Sequence, residues 1–298
     1  MLRAELLGRY QHVTFNDAGV PLNGARLVEF LRGHDKAITA LELIDDATLA
    51  QLPQLRLISK YGVGLDMIDL DAMRARGKHL GWTPGVNRRS VAELVVSFAI
   101  GMLRHVPAAS RELTAGSWRQ HVGRQLTGRT VGIVGCGSIG KDVVELLQPF
   151  QCRILVNDIR SYADFYAAHS IRAVDLDTLL AEADIVTLHV PLDRDTRGMV
   201  DARRLSLMQS TAVLINTARG GLVDEKALKE SLRDGRLASA AFDVFDPEPP
   251  GDAELLSLPN FLATPHIGGS AQEAILAMGR AAIEQLEPTV PSGAQASP

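Results

Sequence analysis

Three residues of different chemical type stand just past three short apolar runs: Arg219 after "AVLINTA", Glu248 after "FDVFDP" and His266 after "FLATP". Singly, each has an ordinary use as a turn-capping arginine, a solvated acid or a loop histidine. Grouped at one sheet edge they offer a permanent cation, an acid and a titrating ring. Oxidation at the C2 of a 2-hydroxy acid releases a proton from the hydroxyl, and a histidine is the residue suited to take it near neutral pH, which points to His266. A carboxylate on the far ring nitrogen fixes the tautomer and stabilises imidazolium, the task expected of Glu248. A planar, always charged donor suits the substrate carboxylate and the developing carbonyl, the task expected of Arg219. Gly220 and Gly221 keep bulk away from that turn.

The elements that must position these residues follow from the alternation of β-branched runs and helical segments beyond about residue 130. Strands are expected to end at Val134, Asn157, Val190, Thr217, Val244 and Thr264, with helices over Ser138 to Leu147, Leu176 to Ala183, Ala202 to Met208 and Glu225 to Asp234. That pattern predicts a doubly wound parallel sheet, whose carboxyl edge faces the ligand crevice.

In "VGIVGCGSIGKDVVELL" the glycines Gly135, Gly137 and Gly140 follow a strand and open a helix. The first permits a tight turn, the second lets backbone approach a pyrophosphate, and the third packs helix on strand. Helix N–H groups then face the phosphates. The next strand ends at Asp158, at the spacing of a carboxylate that accepts ribose hydroxyls. A 2′-phosphate would meet a like charge there, so NAD is favoured over NADP, with Arg160 as a nearby cation. Cys136 occupies a variable slot, and no partner base marks it as a reactive thiol.

The remaining chain supplies a second αβ alternation over residues 1 to about 84 ("HVTF", "AITA", "LRLISKYGVG"). Ser90, with Glu93 three residues on, reads as a capping box opening an apolar connector helix. A final helix is expected over Ala271 to Leu286, before a tail, "PTVPSGAQASP", expected to fray. A length of 298 residues fits two domains of ordinary size or one large α/β unit, and with 46% hydrophobic residues and a net charge of -4 the chain is expected to be a soluble cytoplasmic protein. Its scattered basic residues give no nucleic-acid footprint, and no stretch is long and apolar enough for a membrane span. Two cysteines, Cys136 and Cys152, are too few for a disulfide framework or a zinc site, and no metal is expected.

Taken together, "LISKYGVGLDMIDLDA", "TPGVNRRSVAEL", "TVGIVGCGSIGK", "LHVPLDRDTRGMV", "INTARGGLVDEKAL", "AAFDVFDPEPP" and "ATPHIGGSAQEA" resemble the D-isomer-specific 2-hydroxyacid dehydrogenase family, in particular its phosphoglycerate dehydrogenase-like members. The resemblance implies an α/β fold of two Rossmann-like domains. Residues 1–84 and 271–298 would form a split, flavodoxin-like substrate domain and residues 85–270 an NAD-binding domain, with the active site in the cleft between them. It implies Arg219, Glu248 and His266 as the catalytic set, and the backbone amides of Val63 and Gly64 as holders of the substrate carboxylate. Around NAD it implies Ser138 and Ile139 at the pyrophosphate, Asp158 at the ribose, and Val190 with Pro191 near the adenine. Thr217, Ala218 and Arg219 would line the nicotinamide half, with Asp243 on the carboxamide and Gly268 and Gly269 beside the ring. The family is usually homodimeric, which implies the same here.

Three departures stand out. The chain opens on "MLRAELLGRYQHVTF", which resembles the family's first helix and second strand. Met67 replaces the usual asparagine, and Arg88 adds a cation, read as part of a solvated face. Lys60 hints at an anionic substrate tail, as in a 3-phosphoglycerate-like acid. Two other readings remain open at this level: a corepressor-like dinucleotide sensor, and a dehydrogenase of the same fold using another hydride donor.

Overall fold

The structure is a computed structural model and describes residues 1–287; the tail "PTVPSGAQASP" lies outside the described residues. The chain separates into two compact units, Met1–Asn87 with the segment from Ser270 onward, and Arg88–Gly269.

The smaller unit carries a parallel sheet of β1 (Lys36–Thr39), β2 (Leu57–Lys60) and β3 (His79–Gly81), in that spatial order. Helices Ala25–Leu31, Asp46–Ala50 and Leu70–Ala75 surround a core that includes Leu27, Ile44, Leu49, Leu52, Leu55 and Ile58. Asp45 and Asp69 start two of these helices by accepting the amides of Thr48 and Ala72, each at 2.8 Å, so the acidic residue before each apolar run fixes where the helix begins. The last helix, Gln272–Glu284, returns to this unit: Ser59 Oγ donates to Ala282 O at 2.7 Å, and Arg280 pairs with Glu5 of the Leu2–Arg9 helix at 3.0 Å. The expected strand "HVTF" does not form. Residues 12–15 pair with no strand, and Phe15 instead lies under the guanidinium of Arg3, 4.4 Å from its ring centre.

The larger unit is built on seven parallel strands: β4 (Thr130–Val134), β5 (Arg153–Asn157), β6 (Arg172–Ala173), β7 (Ile185–Leu188), β8 (Val213–Asn216), β9 (Ser239–Phe242) and β10 (Phe261–Ala263). Their spatial order, β10-β9-β8-β7-β4-β5-β6, reverses direction between β4 and β7, which makes this the topological switch point. Both faces are covered, as an all-parallel sheet requires. Helices Arg88–Leu103 and Ser138–Leu147 pack on one face through Ala92, Val95, Phe98, Val143 and Val144; helices Leu176–Glu182, Ala202–Leu207 and Glu225–Arg233 cover the other through Leu179, Leu180, Leu205 and Leu228.

Strand pairing stops earlier than expected for β7, β8 and β9, at Leu188, Asn216 and Phe242. His189, Thr217 and Asp243 are thereby the first residues past the ladder, on the carboxyl edge. Ser90 is no helix cap. The helix already runs from Arg88, and the Ser90 hydroxyl donates to Gly268 O at 2.6 Å, tying the connector helix to the loop after β10.

Candidate active site

Three consecutive strand ends on one sheet edge carry the expected catalytic residues. After β8, the side chain of Asn216 donates to Arg219 O at 2.8 Å and accepts from Ala218 N at 3.1 Å, folding the chain into a tight turn that presents Arg219. The Arg219 guanidinium donates to Ala218 O at 2.6 Å. Gly220 then passes so close to the next strand's loop that an added Cβ would stand 2.0 Å from the carbonyl carbon of Phe245. No side chain fits between those backbones, so the Arg219 turn is pressed onto the 245–248 turn.

That second turn is closed by Glu248, whose Oε1 accepts Phe245 N at 3.1 Å. The same carboxylate lies 2.9 Å from His266 Nδ1 through Oε2 and 3.1 Å through Oε1. Imidazole and carboxylate are both partly exposed, at 49% and 39%, so Nε2 remains available for chemistry while Nδ1 is held.

His266 itself has a left-handed backbone, φ 54, rare for a residue with a side chain. Asp243 holds the loop in that shape. Its buried carboxylate accepts Thr264 Oγ1 at 2.5 Å and Ile267 N at 2.8 Å through Oδ1, and Gly268 N at 2.7 Å through Oδ2. The amide of His266 donates to Asp243 O at 2.9 Å. A role for Asp243 in supporting the histidine loop was not read from the sequence; "FDVFDP" offers an acid but no sign of which amides it meets.

The glycine turn after β4 sits at the switch point. Gly135 has φ 93, and an added Cβ would be 2.7 Å from His189 O; at Gly140 it would be 2.2 Å from Gly135 O. These two glycines let strand, turn and helix touch through backbone alone. Around Gly137, by contrast, an added Cβ meets nothing within 4 Å, and no side chain caps the first turn of the Ser138–Leu147 helix. Asp158 is fixed by two amides, Cys136 N to Oδ2 at 2.5 Å and Arg160 N to Oδ1 at 2.7 Å. Burial, and then the neighbouring Asp158, push the Cys136 thiol up to about 11, so it is no thiolate at neutral pH.

Two polar atoms on this edge are buried without a partner, Thr217 Oγ1 after β8 and His189 Nδ1 after β7. The Nε2 of His189 lies 3.0 Å from Thr187 Oγ1, and burial pushes the ring down to about 3, which keeps it neutral. Val190 and Pro191 continue that strand end, with Val190 Cγ1 near Gly135. Gly268 is buried against Asp243 and Val91, and Gly269 ends the unit. Val63 and Gly64 belong to the smaller unit, in the loop after β2. Lys60, at the end of β2, is buried and its ammonium donates to Ala40 O. Among the described residues, no group of His, Cys, Asp and Glu is arranged to hold a metal ion.

Residues 96–268 match the family model described as D-isomer specific 2-hydroxyacid dehydrogenase, NAD binding domain. The chain belongs to this family. Its relatives include a glyoxylate/hydroxypyruvate reductase B from Serratia proteamaculans, 35% identical over 285 residues, which cover 93% of this chain and 88% of the relative. A D-3-phosphoglycerate dehydrogenase from Methanocaldococcus jannaschii is 38% identical over 237 residues, 78% of this chain and 45% of the relative, so the chain spans about half the length of that protein. Among solved structures, a D-lactate dehydrogenase from Aquifex aeolicus, complexed with NAD and lactic acid, aligns over 95% of this chain and 89% of its own with a TM-score of 0.82 and 25% identity.

The NAD-binding domain of this family fits the atoms present. Open space at Gly137 lies before an uncapped helix N-terminus, which suits a pyrophosphate. Asp158 offers a fixed carboxylate at the end of β5, which suits ribose hydroxyls, and the unpartnered Thr217 hydroxyl lies on the edge that would line the remainder.

Proposed function

We propose that the protein is an NAD-dependent oxidoreductase interconverting a D-2-hydroxy acid and its 2-keto acid. The observation that carries this reading is the bidentate approach of the Glu248 carboxylate to His266 Nδ1, on a sheet edge that also presents Arg219. Bound NAD supplies the hydride acceptor. His266 Nε2 takes the hydroxyl proton in oxidation and returns it in reduction, while Glu248 holds the ring's other nitrogen and stabilises the imidazolium. Arg219, with its planar set of donors, takes the substrate carboxylate and the carbonyl oxygen; the backbone amides of Val63 and Gly64 are further donors to the carboxylate. Ser138 and Ile139 hold the pyrophosphate and Asp158 the ribose. Val190 and Pro191 flank the adenine, and Thr217, Ala218, Asp243, Gly268 and Gly269 lie along the nicotinamide half.

The working form is proposed to be a homodimer. Val106, Leu113, Trp118 and Val122 are 54%, 56%, 82% and 95% exposed on one stretch of the larger unit, an apolar surface suited to a second copy of the chain. The free thiols of Cys136 and Cys152 suit a reducing compartment such as the cytoplasm.

The test is NADH oxidation with glyoxylate, hydroxypyruvate, pyruvate and 3-phosphohydroxypyruvate, run beside a titration of NADH binding. Turnover of at least one acid is expected. Tight NADH binding with no turnover of any would replace the enzyme by a dinucleotide sensor.

A further inference from the structure

Past β7 the chain knits a short loop on itself: the Asp193 carboxylate accepts Asp195 N at 2.8 Å and Thr196 N at 2.9 Å, and Thr196 Oγ1 donates to Pro191 O at 2.7 Å. The chain then runs alongside the segment that follows Arg219. Gly198 N donates to Gly221 O at 2.7 Å, Val200 N to Leu222 O at 3.0 Å and Asp224 N to Val200 O at 3.1 Å. Arg197, between these two sets of bonds, has its backbone fixed from both sides.

The Arg197 side chain crosses Gly221 to reach the turn after β9. Its Nη1 donates to Asp246 Oδ2 at 2.9 Å, and an added Cβ on Gly221 would stand 3.0 Å from that nitrogen and 3.1 Å from that oxygen. The loops after β7, β8 and β9 therefore meet at one ion pair. Phe245 and Asp246, on which it closes, are held by other groups as well: Phe245 N donates to Glu248, Asp246 N donates to the Glu225 carboxylate, and the Gly220 backbone presses on the peptide between them. Burial, and the Asp246 charge beside it, raise the pKa of half-buried Glu225. The Arg197 guanidinium offsets that repulsion; without it Asp246 would face a second carboxylate on the turn it anchors.

We propose that Arg197 is a positioning residue: through Asp246 it holds the turn closed by Glu248 against the turn that presents Arg219, and so fixes the spacing of those two groups. This rests on the dehydrogenase reading above, in which Glu248 orients His266 and Arg219 takes the substrate. The partners are 60% and 47% exposed, and ion pairs so open to water add little to folding, so an effect on rate is separable from one on stability.

The experiment measures kcat and KM with NADH and glyoxylate, hydroxypyruvate, pyruvate or 3-phosphohydroxypyruvate, beside the urea midpoint. It compares the full chain with Arg197→Met, Arg197→Lys, Asp246→Asn and the double variant Arg197→Met/Asp246→Asn. Arg197→Met should lower kcat/KM for the best acid by roughly tenfold, shared between a lower kcat and a higher KM for the acid, with the urea midpoint almost unchanged. Arg197→Lys should return to within roughly threefold of the unaltered chain, because a single-pronged contact needs a charge and not a fork. The double variant should be no slower than Arg197→Met, since the two side chains act as one unit. An unaltered kcat/KM in Arg197→Met, a loss that Arg197→Lys does not recover, losses that multiply in the double variant, or a rate that falls only as the urea midpoint falls overturns the inference and leaves the dehydrogenase reading intact. Oxidation of NADH with none of the four acids overturns that reading and the inference with it.

Discussion

Gly220 lies directly against the carbonyl of Phe245, with 2.0 Å available where a Cβ would stand. The contact joins the turn that presents Arg219 to the turn closed by Glu248, so the two groups proposed for catalysis, each past a different strand, share one backbone seam. Gly220→Ala is expected to part that seam, costing about 1–3 kcal/mol of stability as overpacking does and lowering kcat/KM by roughly a hundredfold through misplacement. Urea unfolding and steady-state kinetics measure the two effects. A variant of normal stability and rate would mean that the turns are independent.

Removal of the imidazole should affect chemistry rather than binding. His266→Ala is expected to lower kcat by roughly 10² to 10⁴, with NADH affinity retained. Fluorescence titration of NADH beside turnover separates the two, and full activity in the variant would assign the proton to another group.

Asp158 is held by the amides of Cys136 and Arg160, so its charge cannot swing away from an incoming ligand. Asp158→Ala should narrow the ratio of kcat/KM for NAD over NADP by at least roughly tenfold, since like charges brought together are costly. An unaltered ratio would show that another residue reads the ribose.

The neutral His189 ring makes a prediction about acid stability. Burial pushes it from 6.5 down to about 3, so below pH 6.5 the unfolded chain binds a proton that the folded chain refuses. Its contribution is therefore complete above about 6.5 and is lost as pH falls from there towards 3. His189→Asn should flatten the decline of the urea midpoint between pH 6.5 and 4 relative to the unaltered chain; identical slopes would contradict the buried neutral ring.

How far these features could be read before the structure depends on how local they are. Helix Ser138–Leu147 and strand Thr130–Val134 fall where the glycine turn and apolar runs put them, because a parallel strand buried on both faces needs nothing but continuous apolar residues. "HVTF" has a strand's alternation and lacks a partner edge, and a pattern of four residues cannot reveal that absence. Ser90 and Glu93 have capping-box spacing, yet the hydroxyl spends its hydrogen bond on Gly268, 178 residues away in sequence. The short strand and helices at Arg172–Ala173, Ala163–Ala168 and Ala253–Ser257 carried too few residues for a periodicity to show. At the candidate site, the residue types of Arg219, Glu248 and His266 were visible as post-strand polar residues. The supports contributed by Asn216 and Asp243 were not, since both act chiefly on main-chain groups, which every sequence has everywhere.

The three hydrogen bonds that Asp243 accepts from residues 264–268 bolt the imidazole's loop to the carboxyl end of β9, the strand beside it in the sheet. In the proposed mechanism the ring that carries the proton is thus steadied from within the larger unit, in part through the main-chain amides of Ile267 and Gly268, which ordinary side-chain substitutions there leave in place.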